Sequence, residues 1–431
     1  MFTRRRGGPW LVGVGVVVAT AVAVAVAVGA LAAAYPGVGP VHAAGAGAPA
    51  VGRTLAPDTQ FYVPQPDHGA IQQMADLISH NQKSDAALIL NMVQTPQAVW
   101  FTSGSPKDVQ QSVKQTVQQA SGKGTVPVLV AYDVPGRDCS QYSAGGAATG
   151  DDYKAWIDGF ADGLGDKHAV VLVEPDGLAL LPTDCGQPDT YNRVSLISYA
   201  AHAMLRDPNA AVYLDAGHSA WHSTGDMAER LVQGGVLDVQ GFFLNVSNFN
   251  LTTHEVKYGT WISDCIAFAN DPEEGGWRLG HYSWCASQYY SPVCPVDPND
   301  FSTWGCTDQW FSQNMGTATP TVHFVVDTSR NGQGPWTPPA DHPAGDPQNW
   351  CNPPDRGLGL RPTASTGQPL VDAYLWVKIP GESDGQCYRW TTGPLDPVRN
   401  TLDPPAGQWF PAMALELVHN ANPPLPAEPQ H

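Results

Sequence analysis

Charge is scarce in this chain, and positive charge is scarcer still. Only 14% of its 431 residues are charged, and 40 acidic side chains against 22 basic ones leave a net charge of −18. An acidic surplus of that size argues against nucleic acid or an anionic membrane surface as partner, and it is compatible with a neutral substrate. Metal-binding patterns are missing as well. No two cysteines form a CxxC pair, and neither HExxH nor a clustered His/Cys set occurs, so nothing points to zinc. The chain has no GxGxxG following a strand and no GxxxxGKS, which argues against nucleotide chemistry. No metal or organic cofactor is therefore expected. After the N-terminal region no second apolar run is long enough to span a bilayer, so the body reads as soluble. It contains no linker and no internal repeat, and it reads as one domain.

What is present fits a large globular protein. Hydrophobic residues make up 42% of the chain, which is enough for a sizeable core. Arg4-Arg5-Arg6 precedes an apolar run from about Trp10 to Ala34, followed by small residues around Val41-His42-Ala43. This is the pattern of a secretory signal peptide over 1–43, with an uncleaved membrane anchor as the rival reading. Both put the rest of the chain outside the cytoplasm, and only the anchor would involve a membrane. Residues 44–56 read as a flexible lead-in, 57–424 as the domain and 425–431 as a Pro-rich tail. The eight cysteines (Cys139, Cys185, Cys265, Cys285, Cys294, Cys306, Cys351 and Cys387) are an even number, which suits disulfides in an oxidising compartment.

Apolar runs alternate with helix-like stretches. Strands are expected at 86–91, 126–133, 170–174, 211–215, 240–245, 322–327 and 373–378, with helices near 106–119, 151–165, 191–205, 227–234 and 410–420. Such alternation implies βα units around a parallel sheet. The fold class is α/β, a distorted and partly open (β/α) barrel of about seven parallel strands. Nearly every strand ends in a polar residue: Asn91, Asp133, Glu174, Asp215, Asn245, Asp327 and Lys378. In barrels of this kind functional side chains gather at the strands' C-terminal ends.

The stretch Val170-Val171-Leu172-Val173-Glu174-Pro175-Asp176-Gly177-Leu178 is the centre of the reading. Four apolar, mostly β-branched residues make a buried strand, and proline stops it. Asp176 is then left on a loop among apolar neighbours. Desolvation raises a carboxyl's pKa, and a general acid working near neutral pH needs such a shift.

The chain resembles glycoside hydrolase family 6, the inverting cellulases and cellobiohydrolases. The blocks that carry the resemblance, in order, are Tyr132–Cys139, Val173–Asp176, Tyr213–His218, Asn245–Asn248, Asp327–Gly332, Trp350–Asn352 and Lys378–Gly385. The resemblance implies Asp176 as catalytic acid, Asp138 as the carboxylate that raises its pKa, and Asp384 as base through water. It implies that Asp215 supports the reacting sugar and that Tyr132 crowds it out of its chair. Trp221 and Trp350 would stack on sugars. Lys378, Glu382, His218 and Asn245 would belong to the sugar subsites, and Arg137 would hold Asp138. Inversion needs room for a water, with the carboxyl groups roughly 6.5–9.5 Å apart. The family's usual bridges would be Cys139–Cys185 and Cys351–Cys387, and the other four cysteines keep three possible pairings.

The implied function is secreted hydrolysis of β-1,4-glucans by a monomer. The long segments 252–318 and 386–408 suggest a cellobiohydrolase-like tunnel by analogy with the family's roofed clefts. A non-catalytic glycan-binding or wall-associated protein that kept the barrel is the alternative.

Overall fold

The computed structural model describes residues 55–271, 276–340, 342, 346 and 348–426. The signal or anchor at 1–43 and most of the lead-in lie outside the described residues, as does most of the tail. Among the described residues no helix is long and apolar enough to cross a membrane.

Seven strands form one all-parallel sheet in chain order: β1 (Val99–Phe101), β2 (Val128–Ala131), β3 (Ala169–Val173), β4 (Ala210–Asp215), β5 (Gly241–Leu244), β6 (His323–Asp327) and β7 (Val371–Leu375). The sheet curls into a half-barrel. β7 and β1 are not laddered. Between them the Ala98 N–H donates to the Trp376 carbonyl at 2.9 Å, and the Trp100 indole donates to the Val377 carbonyl at 2.8 Å.

Both faces of the sheet are covered, which is why the strands read as unbroken apolar runs. Val130, Leu172, Tyr213, Phe243 and Val325 share the cluster inside the curl. Leu129, Val171, Val212, Phe242 and Phe324 pack outward against helices. Because side chains alternate with period two, Tyr132, Glu174, Asp215, Asn245 and Asp327 continue the inward series at the C-terminal rim.

One expected strand is a helix. Residues 86–91 lie inside the helix Lys83–Val93, which buries Ala86, Ile89, Met92 and Val93. That spacing of three and four is helical, and Ala and Leu favour it. The strand that completes the seven is β1, too short at three residues to stand out. The helix Pro106–Gly122 follows its expectation. Ser105 and Asp108 close a capping box, Pro106 opens the first turn, and Val109, Val113 and Val117 are buried.

The N-terminal end of the barrel carries a half-buried polar cluster. Asp372 accepts hydrogen bonds from the Tyr213 hydroxyl at 2.7 Å and Gln240 at 2.8 Å, and it pairs with His323 Nδ1 at 2.7 Å. The Asp372 hydrogen bond raises the pKa of His323 above its ordinary 6.5. A raised histidine pKa contributes stability that is fully present below 6.5 and is lost as pH rises through the folded value. His323→Asn should therefore cost about 1 kcal/mol near pH 6 and progressively less toward pH 9. Urea unfolding of both proteins across that range measures it, and a pH-independent difference would contradict the assignment.

Candidate active site

A groove of about 570 Å³ opens at the C-terminal end of the strands. Asp138, Asp176 and Asp384 line it together with Tyr132, Arg137, His218, Trp221, Trp350, Lys378 and Glu382. Two expected residues do not. Asn245 is fully buried, and its amide donates to the Asn250 and Asp327 carbonyls at 3.2 and 3.0 Å. Asp215 is only 2% exposed and lies behind the acid's loop.

The Asp176 loop begins with two strained residues. Glu174 and Asp176 adopt positive φ of 52° and 65°, unusual for residues with a Cβ. Carboxylates hold this geometry. Glu174 accepts from the N–H groups of Asp133 at 2.9 Å and Val134 at 3.1 Å, tying the ends of β3 and β2. Asp215 accepts from the N–H groups of Ala179 at 2.8 Å, Gly217 at 3.1 Å and Leu178 at 3.3 Å. Burial raises the pKa of Asp176 well above the usual carboxylate range, and the charges of Asp215 and Asp138 raise it further.

Asp138 is held by the Ser143 N–H at 2.7 Å, and burial raises its pKa too. Arg137, expected to hold Asp138 in place, is positioned to do so through the backbone. Arg137 donates to the carbonyls of Ser143 at 2.9 Å and Thr102 at 2.8 Å, so it fixes the loop that supplies the N–H. Its guanidinium also lies over the Tyr132 ring, 4.6 Å from the centroid. The Cys139–Cys185 bridge joins this loop to the segment following Asp176.

Asp384 is gripped from two sides. Arg330 Nη1 reaches its two carboxylate oxygens at 2.9 and 3.0 Å, and the Asn352 N–H donates to it at 3.0 Å. Asn352 also accepts from the Asp384 N–H at 2.7 Å and donates to Asp403 at 2.8 Å. The Cys351–Cys387 bridge closes the same corner. Lys378 Nζ lies 3.8 Å from Glu382, whose pKa burial pushes up to about 7. Burial, with His222 nearby, drops His218 to about 4, so it is neutral at pH 7. That suits a hydrogen-bonding role better than a cationic one.

Several residues of the site were not singled out in the sequence. Arg330 sits inside a quoted block, yet a lone arginine gives no spacing signal. Trp100 lines the groove from β1 and packs edge-on to Tyr132 at 5.4 Å. Its strand was missed, and so was its aromatic end. Tyr142 packs against Trp350 at 6.3 Å and lies in an irregular loop with no periodicity to mark it. The remaining cysteines pair as Cys265–Cys285 and Cys294–Cys306, which with the two expected bridges makes four disulfides and leaves no free cysteine among the described residues.

A curled parallel sheet whose C-terminal rim sets buried acids beside groove-lining tryptophans defines a carbohydrate-cleaving hydrolase. The chain belongs to glycosyl hydrolases family 6, whose family model matches residues 56–421. Endoglucanase A of Thermobispora bispora is 31% identical over 398 residues, covering 92% of this chain and 69% of that protein. Endoglucanase A of Cellulomonas fimi is 33% identical over 78% of this chain, which spans 57% of that longer relative. Among solved structures, the endoglucanase Cel6 from Mycobacterium tuberculosis, in complex with a methyl-cellobiosyl-thio-cellobioside, is 37% identical with a TM-score of 0.61. That match covers 84% of this chain and 97% of that one. The catalytic core of the cellobiohydrolase Cel6A from Chaetomium thermophilum is 26% identical with a TM-score of 0.60, covering 86% and 99%.

Proposed function

We propose that this chain is a secreted, monomeric hydrolase of β-1,4-glucosidic bonds that works with inversion. The observation that carries the reading is Asp176, a carboxyl with raised pKa on the wall of a groove that also holds Asp384, Trp221 and Trp350. Protonated Asp176 gives its proton to the glycosidic oxygen as the C1–O bond breaks. A water attacks C1 from the opposite face and passes its proton toward Asp384, so the anomeric configuration inverts. Trp221 and Trp350 offer flat faces to the C–H surfaces of glucose. Tyr132, Lys378, Glu382 and His218 contact the sugars, while Asp138, Asp215 and Arg137 set the acid's charge and position. Four disulfides support secretion, and the N-terminal run would serve as its signal or as an anchor. A role as a binder without catalysis is not favoured, because binding has no use for an acid of raised pKa.

Internal cleavage is favoured over end-directed release. No described residue of 252–318 lines the groove, and of 386–408 only Ala406 and Gly407 do. The long loops that suggested a tunnel therefore contribute little to its walls.

The test is hydrolysis of cellohexaose by the 44–431 protein, with product anomers followed by NMR. Early α-anomers with cellotriose among the products are expected. Early β-anomers would overturn inversion, and only cellobiose and cellotetraose would overturn internal cleavage.

A second expectation concerns pH. The acid must be protonated, so activity should fall as pH rises through the macroscopic pKa of the Asp176 cluster. Burial and Asp215 would still raise that pKa in Asp138→Asn, but one like charge would be gone. The alkaline limb of the kcat/KM profile should move to lower pH. An unmoved limb, or one displaced upward, would refute the charge coupling.

A further inference from the structure

The segment 276–290, tied down by the Cys265–Cys285 bridge and followed by the Cys294–Cys306 bridge, displays large aromatics that do not line the groove. Trp277 is 52% exposed, Trp284 44% and Tyr290 66%. Trp284 stacks on the exposed His281 ring at 3.8 Å with 4° between planes, and Trp277 lies 5.7 Å from Trp284. Scattered surface aromatics need no explanation, but a stacked and exposed group marks an interaction site.

The backbone beneath this group is fixed. Arg278 is fully buried, pairs with Asp271 and donates to the Asn314 and Met315 carbonyls at 3.0 Å. Cys285, next to Trp284, is bridged to Cys265 on the helix Thr252–Asn270. Gln288 donates to the carbonyls of Ser219 at 2.6 Å and His222 at 2.9 Å, and the Tyr289 hydroxyl reaches the Trp221 carbonyl at 3.4 Å. The aromatic group is thus built onto the loop that presents Trp221 to the groove. Its rings are held in place before any ligand arrives, which lowers the entropic cost of binding.

The chemistry of the patch narrows its occupant. Between 276 and 290 the only Lys, Arg, Asp or Glu is Arg278, and its charge is turned inward. The exposed surface of this segment is mostly neutral and aromatic, on a protein of net charge −18. It suits a neutral partner with apolar C–H faces and offers nothing to an anionic one.

We infer that Trp277 and Trp284, on a segment that is hydrogen-bonded to the Trp221 loop, form a second glucan-binding surface that docks the enzyme on insoluble β-1,4-glucan. This rests on the proposed function for the choice of glucan. The surface would hold a neighbouring stretch of polymer while the groove works on one chain. Short oligosaccharides confined to the groove would not touch it.

The experiment is oxidation footprinting of the wild-type protein with N-bromosuccinimide, read by peptide mass spectrometry. Insoluble cellulose should protect Trp277 and Trp284, whereas cellohexaose should protect Trp221 and leave those two unprotected. In parallel, Trp277→Ser/Trp284→Ser should bind cellulose about tenfold more weakly, two stacking contacts being lost. Its rate on cellohexaose should be unchanged, and Trp277→Tyr/Trp284→Tyr should restore binding. Absence of wild-type protection would overturn the inference whatever the variants do. Dimerisation through the patch in sedimentation velocity would assign it to a second copy and overturn it too. Failure of the wild type to cleave cellohexaose would refute the proposed function instead, so the two failures are distinguishable.

Discussion

Asp176→Asn should leave a folded protein whose turnover of cellohexaose is lower by about 10³-fold, within the usual range for loss of general acid catalysis. The amide keeps the shape of the side chain and removes the proton that the departing glycosidic oxygen needs. The fold should tolerate the change, because the strained turn is held by groups other than the Asp176 side chain. Glu174 fastens it to the start of the loop after β2, and Asp215 accepts from the Leu178 and Ala179 N–H groups within it. Removing a buried carboxyl with raised pKa also relieves the crowding of Asp176, Asp138 and Asp215. Thermal stability should therefore be equal or slightly higher. A substrate whose leaving group is a good one without protonation, such as an aryl cellobioside, should lose far less rate. If Asp176→Asn turned over cellohexaose within tenfold of wild type, another group would have to be the acid.

Asp215→Asn makes an informative contrast. Asp215 does not line the groove, so its loss should act through the turn and through the acid's pKa. A variant that lowers stability together with activity would fit that indirect role.

Much of this arrangement was legible in the chain because β-strands carry their own bookkeeping of direction. Once Leu172 or Tyr213 is placed inside the curl, Glu174 and Asp215 must follow at the rim. The series of polar strand ends pointed to the correct end of the barrel. It did not separate the groups that face a ligand from those that pin backbone. Glu174, Asp215 and Asp327 all accept main-chain N–H groups from adjacent loops. Asp176 and Asp384, on the loops beyond the strands, reach the groove. That distinction depends on loop conformation, such as the positive φ at Asp176, and local sequence states no such thing.

The helix at 83–93 was misread for a related reason. A run of Ala, Leu and Ile fits a buried strand and a helix face equally well over six residues, and only the wider spacing of Ala86, Ile89 and Val93 decides it. Long-range pairs such as Arg330 with Asp384 were beyond reach, since nothing in either block names the other.

That pair carries the second large expectation. Arg330→Met should lower stability by about 3–5 kcal/mol and abolish most activity, because it strands a buried carboxylate. Arg330 is fully buried, its Nη2 donates to the Ser247 carbonyl at 2.5 Å, and its guanidinium lies 4.4 Å from the centre of the Phe249 ring. Asp384 is 6% exposed, so water can replace little of what the guanidinium supplies. Asp384→Asn removes the charge instead, and Asn352 and Arg330 can still bond to the amide oxygen. It should cost activity with much less stability. The double variant Arg330→Met/Asp384→Asn should then be more stable than Arg330→Met alone, although it keeps neither charge. Urea unfolding of the three variants and wild type gives the coupling directly. Additive losses in the double variant would mean that Arg330 acts on the fold independently of Asp384. The restraint of that carboxylate would then rest on Asn352 and the Cys351–Cys387 bridge.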